Sequence, residues 1–582
     1  MRKITSYRRI ALLAIFSLTL LGLLTPHAVS SSKGERHRGV HALFDLATPA
    51  GGPFPSDRFT VRDRSHNTGR RVNLPKPDCD ERPSDCEDID LLNTLDGFNM
   101  QPRLSIPFDG PIDVYSVSSG NVFLISLGDT LNRRDRGGRV VGINQVVWDV
   151  ETNTLHVESD ELLDQHTRYA LIVTAGLRDA TGRPVRASQS FRRFRSHVRG
   201  EYKQDLLDAI HAARRVRVRE EDIAVASVFT TQSVTALLEK IRDQIKATTA
   251  EPADFLLGVC EEPTVFPLNQ VTGIAWRQQT RDNPPDFTTV PFNLATLRII
   301  PGAVDQIAFG KYLSPDYQVH PDEFIPPTGT RSGTPEVQGV NELFFNLYLP
   351  SGAKPAHGWP VAIFAHGGAG SKDQGLFAVA TLAHQGIATL AASAHGRGFG
   401  PLGTLTVNRA AGDPVTFPSG GRGSDQNGDG MIAANEGADA IGPWQLIGER
   451  DSNRQAVAEL MQLVRVIEAG MDVDGDGVSD LDASRVYYLG FSFGGRGVMS
   501  LAVEPIVRVS ALVVPGVIDL GQMEAWRLRP ARDPVGRARP SVHRRSSIPR
   551  ASPVLMVSLY PPHLTSMRIS RSGTGFRSPS SW

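Results

Sequence analysis

The stretch "RVYYLGFSFGG" (residues 485–495) restricts the architectures open to this chain more than any other. Strand-forming residues from Val486 to Leu489 lead into Gly490-Phe491-Ser492-Phe493-Gly494. A serine with a glycine two residues away on each side suits a sharp strand-to-helix turn, where side chains would block the close approach of backbone to backbone. A hydroxyl in a flexible loop is a poor nucleophile. Held at such a turn, it projects from the C-terminal edge of a sheet and can be activated by a neighbouring base. The helix-like "RGVMSLAV" downstream completes the pattern, and Ser492 is the candidate nucleophile. The competing reading is a glycine-rich turn at an ordinary strand end.

The surrounding residues alternate between strand and helix signals. "FFNLYLP", "GWPVAIFAHGG", "IATLAASAHG", "RVYYLGFS" and "SALVVPGVID" read as strands, and "FAVATLAHQG" as a helix. Residues 451–468 predict an amphipathic helix with Val457, Leu460, Met461, Val464 and Ile467 on one stripe, capped at Asp451, Ser452 or Asn453. Such βα alternation predicts a mostly parallel sheet with helices on both faces, over 341–526. His366-Gly367-Gly368 ends one of these strands upstream of Ser492. A glycine loop there and the residue after the nucleophile are placed to offer backbone N–H groups to a developing oxyanion, which nominates Phe493 and Gly368. His366 precedes the serine at that loop position and reads as structural, not as the base.

Two acidic loops carry a separate signal. In "DQNGDGMIAANE", Asp425, Asn427 and Asp429 occupy positions 1, 3 and 5, Gly430 position 6, Met431 (by its carbonyl) position 7 and Glu436 position 12. Oxygen ligands so spaced surround one large hard cation, so calcium is expected in a structural role within an insertion at 421–437. In "DVDGDGVSDLD", Asp472, Asp474, Asp476 and Asp480 repeat part of the pattern, but position 12 is Ala483. Weak calcium binding and a plain polar loop both remain open there. No cofactor is expected for catalysis.

A chain of 582 residues exceeds one small domain. Arg2, Lys3, Arg8 and Arg9, the apolar run from Ile10 to Leu24, and Ala28-Val29-Ser30 predict a cleaved leader over 1–30 and hence export. An apolar run of about 15 residues is short for a membrane span. Residues 31–101 read as an extended arm. Within it, Cys79 and Cys86 fit a small disulfide loop in an exported protein, while Cys260 reads as a buried thiol. Short strand signals predict a small antiparallel sandwich over 102–195, followed by a helical connector (196–250) and a β-rich connector (251–340). The 62 Lys and Arg balance the 62 Asp and Glu, so composition points to no nucleic-acid partner.

The phrases "FPSDRFT", "TGRRVNLP", "LDGFNMQPRLSIPFDGPID", "FTTQS", "GWPVAIFAHG" and "RVYYLGFSFGG" resemble bacterial exported lipases of the virulence-factor type. The resemblance runs from about His41 to about Leu520. It implies an N-terminal all-β, Ig-like sandwich and a C-terminal α/β-hydrolase domain, with hydrolysis of lipid-like esters outside the cytoplasm or in peripheral association with a cell surface. It also implies Ser492 as nucleophile and the His366-Gly367-Gly368 loop as oxyanion loop. The departure comes at the end, where the acid and base of such a fold belong. From Arg527 onward there are eleven Arg, no Lys, no Glu and one Asp. This tail (527–582) reads as a foreign or frameshifted end that leaves the sheet incomplete, or as a natural disordered basic tail. Asp519 is the candidate acid and His563 the candidate base, with His543 less well placed. Three functional classes stay open: an ester hydrolase, a serine peptidase on the same fold, and a calcium-stabilised surface or adhesion protein with a non-catalytic hydrolase domain.

Overall fold

Among the described residues, most of the regular structure is β-strand, gathered in several sheets with few helices. The computed structural model describes residues 39–132, 134–368, 370–373, 376–438, 444–497 and 507–513. The chain divides into two units, Met1–Leu528 and Arg529–Trp582, and all described residues belong to the first. The leader expected over 1–30, and Asp519, His543 and His563 with the tail, lie outside the described residues. No helix among the described residues is long and apolar enough to cross a membrane.

The segment expected as an extended arm contains helix α1 (Pro83–Leu92), with proline in its first turn. Cys79 is disulfide-bonded to Cys86 at its N-terminal end. Cys260 departs from expectation: it is exposed, not buried. It sits with φ +59° at the tip of a turn closed by the Gly258 N–H on the Glu262 carbonyl, which directs the residue outward.

Two antiparallel sheets follow. One comprises β1 (Leu104–Pro107), β4 (Ile143–Asp149) and β5 (Thr154–Ser159), in the order β1-β5-β4. The other comprises β2 (Val122–Asp129), β3 (Val140–Val141), β6 (Thr167–Thr174) and β7 (Ile223–Thr230), in the order β7-β6-β2-β3. Both share one core with helix α2 (Gly200–Arg215), through residues such as Ile106, Leu155, Leu124, Leu171, Val225 and Ile210. The segment 196–250, expected to be helical, therefore supplies a strand to this sheet. β7 is buried at all eight positions, so its sequence, IAVASVFT, lacks the alternation that marks a half-exposed strand.

Among the described residues the largest sheet has seven strands: β8 (Val265–Pro267), β11 (Val304–Asp316), β12 (Gly339–Pro350), β13 (Trp359–Ala365), β14 (Ala388–Ala392), β17 (Leu481–Phe491) and β18 (Val507–Val513). Their order is β8-β11-β12-β14-β13-β17-β18. The pairings β14-β13, β13-β17 and β17-β18 are parallel, whereas β8-β11, β11-β12 and β12-β14 are antiparallel. The sheet is thus mixed, not mostly parallel, because two strands from the expected connector join its antiparallel half. A second sheet, β10-β9-β15-β16, is formed by β9 (Val271–Arg281), β10 (Asp286–Pro291), β15 (Gly400–Arg409) and β16 (Val415–Pro418).

Helices α4 (Val379–His384) and α5 (Gln445–Ala469) take opposite sides of the large sheet, and α3 (Ala236–Ala247) packs on α5. Leu463, Val464 and Ile467 of α5 bury against Val361, Ile363, Leu390, Val486 and Tyr488, while Val379 and Ala383 of α4 join Ile307, Phe309 and Tyr348 in a separate core. Each such aliphatic side chain contributes about 1.5–3 kcal/mol by burial. α5 begins earlier than its sequence predicts. Asp451 does not cap it but lies buried within it, accepting the Ile325 N–H at 3.1 Å and pairing with Arg450 and Arg454.

Candidate active site

Ser492 stands at the junction of β17 and a 3-10 turn, Ser492–Gly497. It is exposed, with φ +49°, a left-handed conformation that few non-glycine residues adopt. The glycines around it answer to space. A Cβ on Gly490 would lie 2.6 Å from the Gly494 carbonyl oxygen, and one on Gly494 would run into the Ala365 carbonyl of β13. The Tyr488 hydroxyl donates to that Gly494 carbonyl, tying the turn back to its own strand. The Phe493 N–H lies in the first turn after the serine, where backbone donors lack helical acceptors.

β13 lies beside β17 in parallel register, so its C-terminal end comes out at the same sheet edge. His366 follows directly and is buried. Its Nε2 accepts the Ala394 N–H at 3.0 Å, which leaves Nδ1 to carry the proton and donate to the Gly367 carbonyl at 2.8 Å. Burial pushes the imidazole pKa down to about 4. A neutral ring with both nitrogens engaged by backbone holds the loop in place. Gly367 packs under the Phe491 ring, where a Cβ would meet ring carbons at 3.0 Å. Gly368 comes next, so both nominated oxyanion positions lie in segments beginning at the ends of adjacent parallel strands.

Nothing in the spacing marks the next part of this loop. Lys372 is 2% exposed, and its ammonium donates to Asp373 Oδ1 at 2.9 Å and to Asn346 Oδ1 at 3.0 Å. Asn346, on β12, returns its amide to Asp373 Oδ1 at 2.8 Å. The Lys372 N–H donates to Ser393 Oγ at 3.1 Å, just beyond β14. The available signal was the pair of charges in "SKDQG", directly after a glycine loop that ends a buried strand.

A further polar cluster lies beyond β14. His395 Nε2 is 2.9 Å from Glu323 Oε2, and Glu323 Oε1 is 2.8 Å from His320 Nδ1. His320 Nε2 is 2.7 Å from Asp316 Oδ2. Hydrogen bonds to Asp316 and Glu323 raise the His320 pKa to about 10. Burial pushes Asp316 up, but the His320 and Gln318 donors outweigh it and hold the carboxyl below its ordinary value. Arg422 donates to both oxygens of Glu459, at 2.6 and 2.7 Å, and to the Ser393 carbonyl at 3.1 Å.

The acidic loops share one hydrogen-bond scheme. Asp425 accepts the N–H groups of Gly428 and Gly430, and Asp472 those of Gly475 and Gly477, all at 2.8 Å. Asn427 and Asp474 each accept the N–H two residues on, as do Asp429 and Asp476. Glu436 accepts the N–H groups of Gln426, Asn427 and Ala433. In the second loop, whose position 12 is Ala483, Asp480 at position 9 accepts the Val473 N–H at 2.7 Å. The side chains of Asp472, Asp474 and Asp476 bring oxygens within 4.8 Å of one another, but Lys354 places its ammonium 2.8 Å from Asp480. The first loop is stitched to β9 by the Ile432 N–H on the Thr280 carbonyl, 2.8 Å, next to the Met431–Arg281 bridge. Both loops offer hard oxygen donors, the kind calcium takes, and among the described residues only the carboxylates of the second loop converge within 4.8 Å.

No family model matches the chain, and no curated protein matches it. Among solved structures it is similar to a candidate acetyl xylan esterase of Bacteroides fragilis NCTC 9343, at 10% identity and TM-score 0.22, over 46% of this chain and 50% of that one. It is similar to an acetyl xylan esterase from Paenibacillus sp. R4 at 13% identity and TM-score 0.23, over 47% and 57%. A thermostable esterase aligns at 11% identity and TM-score 0.16, over 74% and 77%. The match spans about half the length of the first two.

Proposed function

We propose that this chain is a serine carboxylic ester hydrolase of α/β-hydrolase architecture acting outside the cytoplasm on lipid-like esters. The reading rests on Ser492: an exposed hydroxyl at φ +49° on a turn whose flanking glycines have no room for a side chain. Four adjacent parallel strands, β14, β13, β17 and β18, and helices on opposite sides of the sheet, support it.

In this reading Ser492 Oγ bonds to the ester carbonyl carbon as its proton passes to a base. The Phe493 and Gly368 N–H groups meet the oxyanion. The alcohol leaves with that proton, and water then releases the acid and restores the serine. The proposed acid and base, Asp519 and His563, lie outside the described residues. The buried, neutral, doubly bonded His366 is a loop anchor.

Calcium is proposed for Asp425, Asn427, Asp429, the Met431 carbonyl and Glu436, and more weakly for Asp472, Asp474, Asp476 and Asp480. Its role is to stiffen loops; when bound it supplies charge neutralisation and no chemistry. A panel of p-nitrophenyl esters of rising acyl length, run beside peptide anilides, tests the substrate class. Ester turnover rising with chain length supports the reading, and anilide turnover without ester turnover contradicts it.

A further inference from the structure

The loop that leaves β13 carries Gly367 and then Gly368, whose N–H is assigned to the oxyanion, and it is clamped at both ends. At its start His366 bonds the Ala394 N–H beyond β14. Six residues on, Lys372 is clamped three ways: its ammonium on Asn346 of β12, the same ammonium on Asp373, and its N–H on Ser393 beyond β14. Asp373 is braced in turn by the Asn346 amide and by its own N–H on Ser371 Oγ at 3.2 Å. Lys372, Asp373, Asn346, Ser371 and Ser393 are all buried.

A buried ion pair of this kind gains little stability over an apolar pair of similar size, because both charges lose their hydration. What it provides is direction. A lysine whose donors must find one carboxylate and one amide oxygen has few acceptable placements, whereas a leucine in the same space has many. Gly367 and Gly368, without side chains of their own to lock them, lie between the two clamps. Catalytic donors held within a fraction of an ångström need such support from groups that never touch substrate.

We propose that Lys372, with Asp373 and Asn346, is a positioning device that fixes the backbone of the Gly367-Gly368 loop against β12 and β14. The inference rests on the Ser492 reading for its catalytic consequence but not for its geometry, and the experiment separates the two. The full chain is compared with Lys372→Met and with the paired variant Lys372→Met/Asp373→Leu, which removes both charges and leaves no orphaned carboxylate. Amide hydrogen exchange is followed by mass spectrometry, and covalent labelling of Ser492 by a fluorophosphonate is timed over a range of probe concentrations.

The paired variant is expected to stay folded, with exchange in the peptide spanning 366–373 at least about tenfold faster and exchange over 481–491 unchanged. The maximal labelling rate is expected to fall about 10- to 100-fold with the half-saturating probe concentration unchanged, since only the transition state loses its donors. Wild-type exchange and labelling in the paired variant would overturn the inference. So would slower labelling without faster exchange, or faster exchange without slower labelling in a chain whose wild type is labelled. If wild type takes no label but the variant loop exchanges faster, the clamp stands and the Ser492 reading falls.

Discussion

His366 Nε2 accepts the backbone N–H of Ala394 at 3.0 Å, joining the loop after β13 to the loop after β14 across neighbouring parallel strands. The bond requires a neutral ring, and burial keeps it so, with the pKa pushed down to about 4. An unfolded histidine titrates near pH ~6.5. Between these values the unfolded chain binds more protons than the folded one, so stability is full above about pH 6.5 and is lost as pH falls toward about 4. His366→Asn removes the titration. Urea unfolding of wild type across that window should lose about 2–3 kcal/mol more than the variant does.

Substitutions at the turn test whether space there is as tight as the backbone indicates. Gly490→Ala and Gly494→Ala force a methyl group into the carbonyl groups of Gly494 and Ala365. Each should cost about 1–3 kcal/mol in thermal or urea unfolding and displace Ser492 enough to abolish labelling. Gly273→Ala is the control, because a Cβ there meets only the Asn408 side chain at 3.7 Å. It should behave as wild type.

The Arg422–Glu459 pair is buried and bidentate, and Arg422 also holds the Ser393 carbonyl. Glu459→Leu strands the guanidinium without its carboxylate and should destabilise the fold by about 3–5 kcal/mol. Arg422→Met/Glu459→Leu should recover most of that loss, read as the urea midpoint of each variant.

Parts of this arrangement were open to the sequence and parts were not. The elbow was legible because glycine spacing and a strand signal report local geometry. The α5 stripe was legible because Val457, Met461, Val464 and Ile467 repeat at helical spacing. β7 was hidden because a strand covered on both faces shows no alternation. The strands at 265–267 and 304–316 read as connector because a strand signal alone does not say which sheet the strand joins. The Lys372–Asn346 and His395–Glu323 contacts were invisible because each joins loops or strands brought together only by the finished sheet.

Calcium should raise the midpoint of thermal unfolding, and a chelator should lower it. At a free concentration about a hundredfold above Kd, one site adds about 2.7 kcal/mol. Asp425→Ala should remove the tighter event in isothermal titration calorimetry, and Asp472→Ala the weaker one. Lys354→Met should tighten the second site, because it withdraws an ammonium from Asp480 and Asp476.

Intact-mass analysis after fluorophosphonate treatment tests the central claim most directly. Folded wild-type chain should gain one phosphonyl adduct, mapped to Ser492, and Ser492→Ala should gain none. A folded wild type that takes no adduct, or an alanine variant labelled as fast as wild type, would contradict the assignment of Ser492 as nucleophile.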